Sequence, residues 1–110
     1  MGIEREAEIT SENIGSIDNW GEKVFAEACL RLGIKATYQV PIGDSIIDFK
    51  IETRSGNEKL IEVTSSSKEN ARKLQRKMRQ RKNMAKSGLG YSMLCSNQLL
   101  KIQQSNEKQR

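Results

Sequence analysis

The chain has 110 residues, 35% of them hydrophobic and 30% charged, with a formal net charge of +5. That length points to one domain, residues 1–110, burying roughly two-thirds of its unfolded surface in one modest core. The composition is that of a soluble globular protein, and no apolar run approaches the roughly 20 residues that span a bilayer.

The chain has no histidine, which excludes Ser-His and Cys-His catalysis and imidazole-bound zinc. Two cysteines, Cys29 and Cys95, cannot build a four-thiolate zinc site. Isolated and in apolar surroundings, they read as buried free thiols in a reducing, cytoplasmic compartment rather than as a disulfide. Neither a GxxxxGK[ST] nor a GxGxxG loop occurs, so phosphate-cradling nucleotide chemistry has no support. The chemistry left open rests on carboxylates, lysines, hydroxyls and a hard metal ion. Charge is segregated along the chain. Residues 1–67 hold 7 Lys and Arg against 12 Asp and Glu, and residues 68–110 hold 12 against 2. A basic half beside an acidic one suits a phosphate-rich partner with metal-binding carboxylates next to it.

Residues 1–14 are acidic and lack the apolar stretch of a signal peptide; they are expected as a loosely packed tail. "SIDNWGEKVFAEACLRLG", Ser16 to Gly33, predicts a helix. Ile17, Trp20, Val24, Phe25, Ala28 and Leu32 recur at helical spacing, with Ser16 as N-cap and Gly33 just past the C-terminus. Trp20 reads as a core or interface residue, and Glu27 as a solvated edge. "IKATYQV" is a strand stopping at Pro41, and "IGD" turns the chain, with Asp44 solvating the turn.

The hairpin "SIIDFKIETRSGNEKLIEVT" follows. In its first strand Ile47, Phe49 and Ile51 alternate with Ile46, Asp48, Lys50 and Glu52. In its second, Ile61 and Val63 alternate with Leu60, Glu62 and Thr64. If the apolar sets share one core face, Asp48, Glu62 and Thr64 meet on the other, close enough for two carboxylates to hold one Mg²⁺ or Mn²⁺ ion. The same alternation also fits an amphipathic hairpin with a wet polar face. On that face Lys50 can approach the acids or pair with Glu52 or Glu62.

"SSSKENARKLQRKMRQRKNMAKSG" is a second long helix, capped at Ser66 or Ser67 and ended by Gly88. Ala71, Leu74, Met78 and Ala85 form a narrow apolar stripe. Lys68, Arg72, Lys73, Arg76, Lys77, Arg79, Arg81, Lys82 and Lys86 stand against one acid, Glu69. Such self-repulsion destabilises a helix unless an anionic partner relieves it. Backbone contact with duplex or branched DNA suits it better than single-strand stacking, for which interleaved aromatics are missing, or a membrane, for which the apolar face is too narrow. "GYSMLC" predicts a last strand parallel to the third, since a helix connects them. A short amphipathic turn and a loose polar tail, residues 103–110, close the chain. The expected fold is α/β, α-β-β-β-α-β, with a mixed four-stranded sheet flanked by helices.

That order, with an acid in the second strand and "IEV" in the third, resembles the core of the PD-(D/E)XK, restriction-endonuclease-like nucleases over about residues 16–96. Within that superfamily the chain looks most like the archaeal Holliday-junction resolvases. Glu22 precedes Gly33-Ile34 by 11 residues, Asp48 sits in the short apolar strand "SIIDFKI", and "IEVT" stands where those resolvases have "IEVK". The resemblance implies a Mg²⁺-dependent endonuclease, with Mn²⁺ able to substitute, and a homodimer. Asp48, Glu62 and the Val63 carbonyl would be metal ligands, and Glu22 an accessory acid. Its motif lysine is Thr64 here, which can orient a water but carries no charge. Lys68, with Arg72 or Lys73 reaching back, would then supply the cation, and Gln75 is another candidate to orient water. Lys68, Arg72, Lys73, Arg76, Lys77, Arg79 and Lys82 would meet the DNA backbone. Two rival readings remain: a non-catalytic nucleic-acid-binding protein on the same fold, and a basic protein-interaction module.

Overall fold

The structure is a computed structural model and describes residues 3–80 and 88–108. These form α1 (Trp20–Leu32), β1 (Lys35–Ile42), β2 (Ser45–Glu52), β3 (Glu58–Val63), α2 (Lys68–Gln80), β4 (Gly90–Leu94) and α3 (Ser96–Lys108). The sheet order is β1-β2-β3-β4. The first two pairs are antiparallel, and β3 and β4 run parallel across the α2 connection. The chain is thus α/β, a mixed four-stranded sheet flanked by helices.

Both faces of the sheet are covered, so its strands carry apolar residues on both sides. On one face Phe25, Ala26 and Cys29 of α1 pack with Ala36, Tyr38, Phe49 and Ile61. Phe49 is fully buried, with its ring 4.9 Å from Phe25 and 5.5 Å from Tyr38. On the other face Ala71 of α2 packs with Ile47, Leu60, Tyr91, Met93 and Cys95. The expectation of one apolar set per strand on one shared face is therefore corrected. Leu60 and Ile61, adjacent in β3, are both buried, on opposite faces. More tellingly, Ile47 lies in the α2 cluster and Phe49 in the α1 cluster, although strict alternation puts them on the same side. β2 changes its relation to the sheet between them, at Asp48.

Within the described residues, 3–14 and 103–108, the segments expected as loose tails are packed against the domain. Ile9 is buried, the amides of Glu6 and Ile9 donate to the carbonyls of Tyr38 and Ala36, and the Tyr38 amide donates to Ala7. The N-terminal segment thereby covers the open edge of β1, which would otherwise offer unpaired backbone groups to another chain. At the other end α3 runs to Lys108 instead of fraying, because Leu99 and Asn106 are buried against α1. The Asn106 amide donates to the Val24 carbonyl, while its oxygen accepts from Arg31 Nε. The cap of α1 is Asn19, not Ser16, since Ile14–Ser16 forms a 3-10 turn ahead of the helix. Gly33 ends the helix as expected, at φ 69. Trp20, expected in a core or interface, is 40% exposed. Cys29 and Cys95 are free and buried, and burial pushes the Cys29 thiol up to about 12. Among the described residues no helix is long and apolar enough to cross a membrane.

Candidate active site at the strand fork

The β2–β3 ladder ends at Phe49↔Ile61. The next residues on the two strands are Asp48 and Glu62. Instead of continuing the ladder, the Asp48 side chain crosses the gap, and its Oδ2 accepts from the Val63 amide at 3.0 Å. The β1–β2 ladder is interrupted at the same level. Tyr38↔Phe49 and Val40↔Ile47 are paired, while Gln39, between them, takes φ 49. A non-glycine residue rarely adopts that left-handed conformation, and such strain gathers at functional sites. The sheet therefore forks at Asp48, with a carboxylate where a ladder bond would be.

Glu22 reaches the fork from α1. Gly21 eases this approach. A Cβ there would stand 3.0 Å from Cδ1 of the buried Leu99 and 3.5 Å from Val63 Cγ2, so a larger residue would press on Leu99 where α1 meets α3 and β3. Asn19 Oδ1 accepts from the Glu22 amide at 2.9 Å, fixing the first turn. The Glu22 carboxylate accepts from the buried Tyr38 hydroxyl. Burial raises the Asp48 carboxyl and the neighbouring Glu22 charge adds to that, while the Val63 amide opposes them; the result is about 6, against an ordinary 3.8. Burial also pushes the Tyr38 phenol up, helped by its bond to Glu22 and by the charges of Glu22, Asp48 and Asp18, so it stays a donor. The structure thus brings Glu22, Asp48, Tyr38 and Val63 together. Tyr38 was missed in the sequence because it reads as one more inward residue of an alternating strand.

Glu62 is half-buried and precedes Val63, but it alternates with Ile61 and so sits on the Leu60 side of β3, outside the group of Glu22, Asp48, Tyr38 and Val63; the expected single polar face shared by Asp48, Glu62 and Thr64 is corrected to that extent. Among the described residues no group of three or more acids or cysteines stands close enough to hold a metal ion. Thr64 follows Val63, and its Oγ1 accepts from the Ser66 amide at 3.1 Å, which uses a lone pair and not the hydroxyl proton. Ser67 caps α2, its Oγ accepting from the Asn70 amide at 3.4 Å. Lys68, the first residue of α2, is exposed and follows Thr64 by four residues.

α2 divides its polar residues between two tasks. Arg72, Lys73, Arg76 and Lys77 point to solvent, with Lys73 3.8 Å from Glu69. Arg79, expected to meet a phosphate backbone, is exposed and donates from Nη2 to the Tyr91 carbonyl at 2.8 Å. Gln75, expected to orient water, accepts from the Met93 amide at 3.0 Å. Both side chains close the outer edge of β4, whose backbone groups on that side have no strand partner. Lys50 pairs with Glu58 at 3.2 Å rather than with Glu52 or Glu62. Lys82, with Arg81 and Lys86, lies outside the described residues.

Compared with known protein families, characterised proteins and solved structures, the chain matches none. The functional argument therefore rests on its own residues.

Proposed function

We propose that the chain is a restriction-endonuclease-like, metal-dependent DNA endonuclease, structure-selective in the manner of a Holliday-junction resolvase. The observation that carries this reading is the fork. A carboxylate from β2 is tied to the backbone of β3 at Val63, the residue after Glu62, with a further acid, Glu22, behind it on α1 and a basic helix starting six residues beyond Glu62. Asp48 is half-buried beside the Glu22 charge, an environment that disfavours its anion and that a cation would reverse.

The donors fit a hard divalent ion. Asp48, Glu62 and the Val63 carbonyl offer only oxygen. Mg²⁺ is commonly held by one or two carboxylates and keeps several waters, so a cluster of three acids is not required. Bound there, Mg²⁺ or Mn²⁺ would supply Lewis-acid polarisation of the scissile phosphoryl group. The chain's residues do the rest. Asp48 and Glu62 would hold the ion from either side of the Val63 backbone, with Glu22 as accessory acid. Thr64 keeps a hydroxyl proton to orient water. Lys68 offers positive charge to the phosphate as it gains charge in the transition state. Lys68, Arg72, Lys73, Arg76 and Lys77 meet the DNA backbone by charge alone, without reading bases. Contacts to the backbone alone favour recognition of duplex or branched shape over base sequence, by a homodimer as in the resembled resolvases.

One observation favours a second reading, a non-catalytic nucleic-acid-binding protein on the same fold: Thr64 carries no charge where the resembled nucleases have lysine. A single assay separates them. Linear, branched and single-stranded DNA and RNA are incubated with Mg²⁺, Mn²⁺ or chelator. Metal-dependent cleavage of a branched DNA supports the nuclease. Salt-sensitive binding without cleavage, even after Thr64→Lys restores the usual cation, leaves the binding protein.

A further inference from the structure

We propose that Tyr38 is a positioning residue that holds the Glu22 carboxylate toward Asp48, so that both acids serve one divalent cation. The inference rests on the metal-site reading above and adds to it a residue that no acidic motif contains.

Tyr38 is fixed on every side before it touches Glu22. Its backbone pairs with Phe49 of β2 on one edge. On the other edge its amide donates to Ala7 at 2.9 Å and its carbonyl accepts from Glu6. Its ring lies 5.5 Å from that of Phe49 at 57°, and the residue is 7% exposed. A side chain locked this way can impose a position on a softer one. Glu22 is softer: it is half-exposed, on the first turn of a helix, with three rotatable bonds. Its hydroxyl partner is the only hydrogen bond made by that carboxylate among the described residues. Two like charges at the fork repel, so an untethered Glu22 would turn toward water, away from Asp48. The Tyr38 hydroxyl prevents that turn. It also sits one residue before Gln39, where β1 takes its left-handed kink opposite Asp48, so the tether and the fork share one stretch of backbone. Partners that orient metal-binding groups in this way typically change metal affinity about 10- to 100-fold when removed.

The test is Mn²⁺ affinity of the whole chain, read by electron paramagnetic resonance of the free ion, with no nucleic acid present. Tyr38→Phe keeps the ring and removes only the hydroxyl. Its Mn²⁺ affinity should fall about 10-fold or more, while its thermal midpoint in chelator stays near wild type. In a Glu22→Gln background the same substitution should add nothing, because the hydroxyl acts through that carboxylate. If Asp48→Asn weakens Mn²⁺ binding and Tyr38→Phe does not, the role given to Tyr38 is wrong and the metal site stands. If Asp48→Asn changes nothing either, the metal site and the inference fail together. Should Tyr38→Phe lose its fold, Glu22→Asp poses the same question from the other side. It keeps the charge but is one methylene too short to reach the phenol, and affinity equal to wild type would overturn the proposal.

Discussion

The strand fork and the outer face of α2 differ in how their charges are held. At the fork two acids are constrained: Asp48 by the Val63 amide, Glu22 by the Tyr38 hydroxyl, with Gly21 easing the approach of the helix that carries it. On α2, Arg72, Arg76 and Lys77 are exposed and make no ion pair or side-chain hydrogen bond among the described residues. The difference follows from what each surface meets in the proposed function. A reacting phosphate must be placed to a fraction of an ångström, so its site spends burial and strain on geometry. A polyanionic backbone is met by charge and reach, and counterion release supplies the affinity whatever rotamer a lysine adopts.

Asp48→Asn would break this comparison most sharply. It keeps an oxygen to accept from the Val63 amide, so the fork should persist. Cleavage should fall about 10³-fold or more, by analogy with removal of other preorganised electrostatic groups. DNA affinity should stay level or rise, because a negative charge has left the neighbourhood of the phosphate. Single-turnover cleavage and fluorescence anisotropy measure the two separately. A parallel drop in both would mean that Asp48 supports the fold rather than the chemistry.

Lys68 stands on the boundary, at the first residue of α2 and close in sequence to Thr64. If it replaces the missing motif cation, Lys68→Ala should lower cleavage about 10²-fold while weakening DNA binding only a few-fold. An equal loss in both would return Lys68 to the group of backbone contacts.

The arginines of α2 sharpen the other side. Reversing Arg72 and Arg76 together should reduce affinity for every DNA sequence about 10-fold or more at moderate salt, and should flatten the salt dependence of binding. Thermal stability should hardly move. Reversing Arg79 should do the opposite, loosening β4 through the lost bond to the Tyr91 carbonyl and lowering the melting midpoint. If Arg79 behaves like the other two, the division of α2 into a backbone-gripping face and an edge-closing face is wrong.

Element order was legible because helix and strand periods differ and a helical crossover forces parallel pairing, as β3 and β4 show. What alternation could not show was the break in it. Ile47 and Phe49 look identical in pattern, and only the interrupted ladder at Gln39 and Asp48 reveals that they face opposite helices. Long-range polar contacts were equally hidden. Arg79 and Gln75 carry the same sequence signal as the solvent-facing residues around them, and their partners lie on β4. The acids Asp48 and Glu22 were visible as motif positions, whereas Tyr38 and Gly21, which place Glu22, were visible only in three dimensions. The N-terminal segment reads as a loose tail, yet its ordering depends on backbone bonds to β1, which side-chain composition does not encode.

The smallest expected effect is thermodynamic, and it tests whether the fork is strained without the proposed ion. In chelator, the Asp48 carboxyl sits at about 6 in the folded protein against 3.8 when unfolded. A raised folded value means that the fold favours the protonated acid. That contribution is full below about pH 4 and is lost as pH rises through about 6. A shift of this size corresponds to ~3 kcal/mol at most, and solvent screening of a half-buried group reduces it to about 1–2 kcal/mol. Wild-type protein should therefore lose about 1–2 kcal/mol more than Asp48→Asn between pH 4 and pH 7.5, a difference of several degrees in melting midpoint. The other carboxylates are common to both proteins and cancel in the comparison. Adding Mg²⁺ at pH 7.5 should restore the wild-type midpoint and leave the variant unmoved, because an ion that binds only the folded fork stabilises it by mass action. Parallel curves for the two proteins, with and without metal, would place Asp48 in an ordinary solvated setting and remove the contrast with α2.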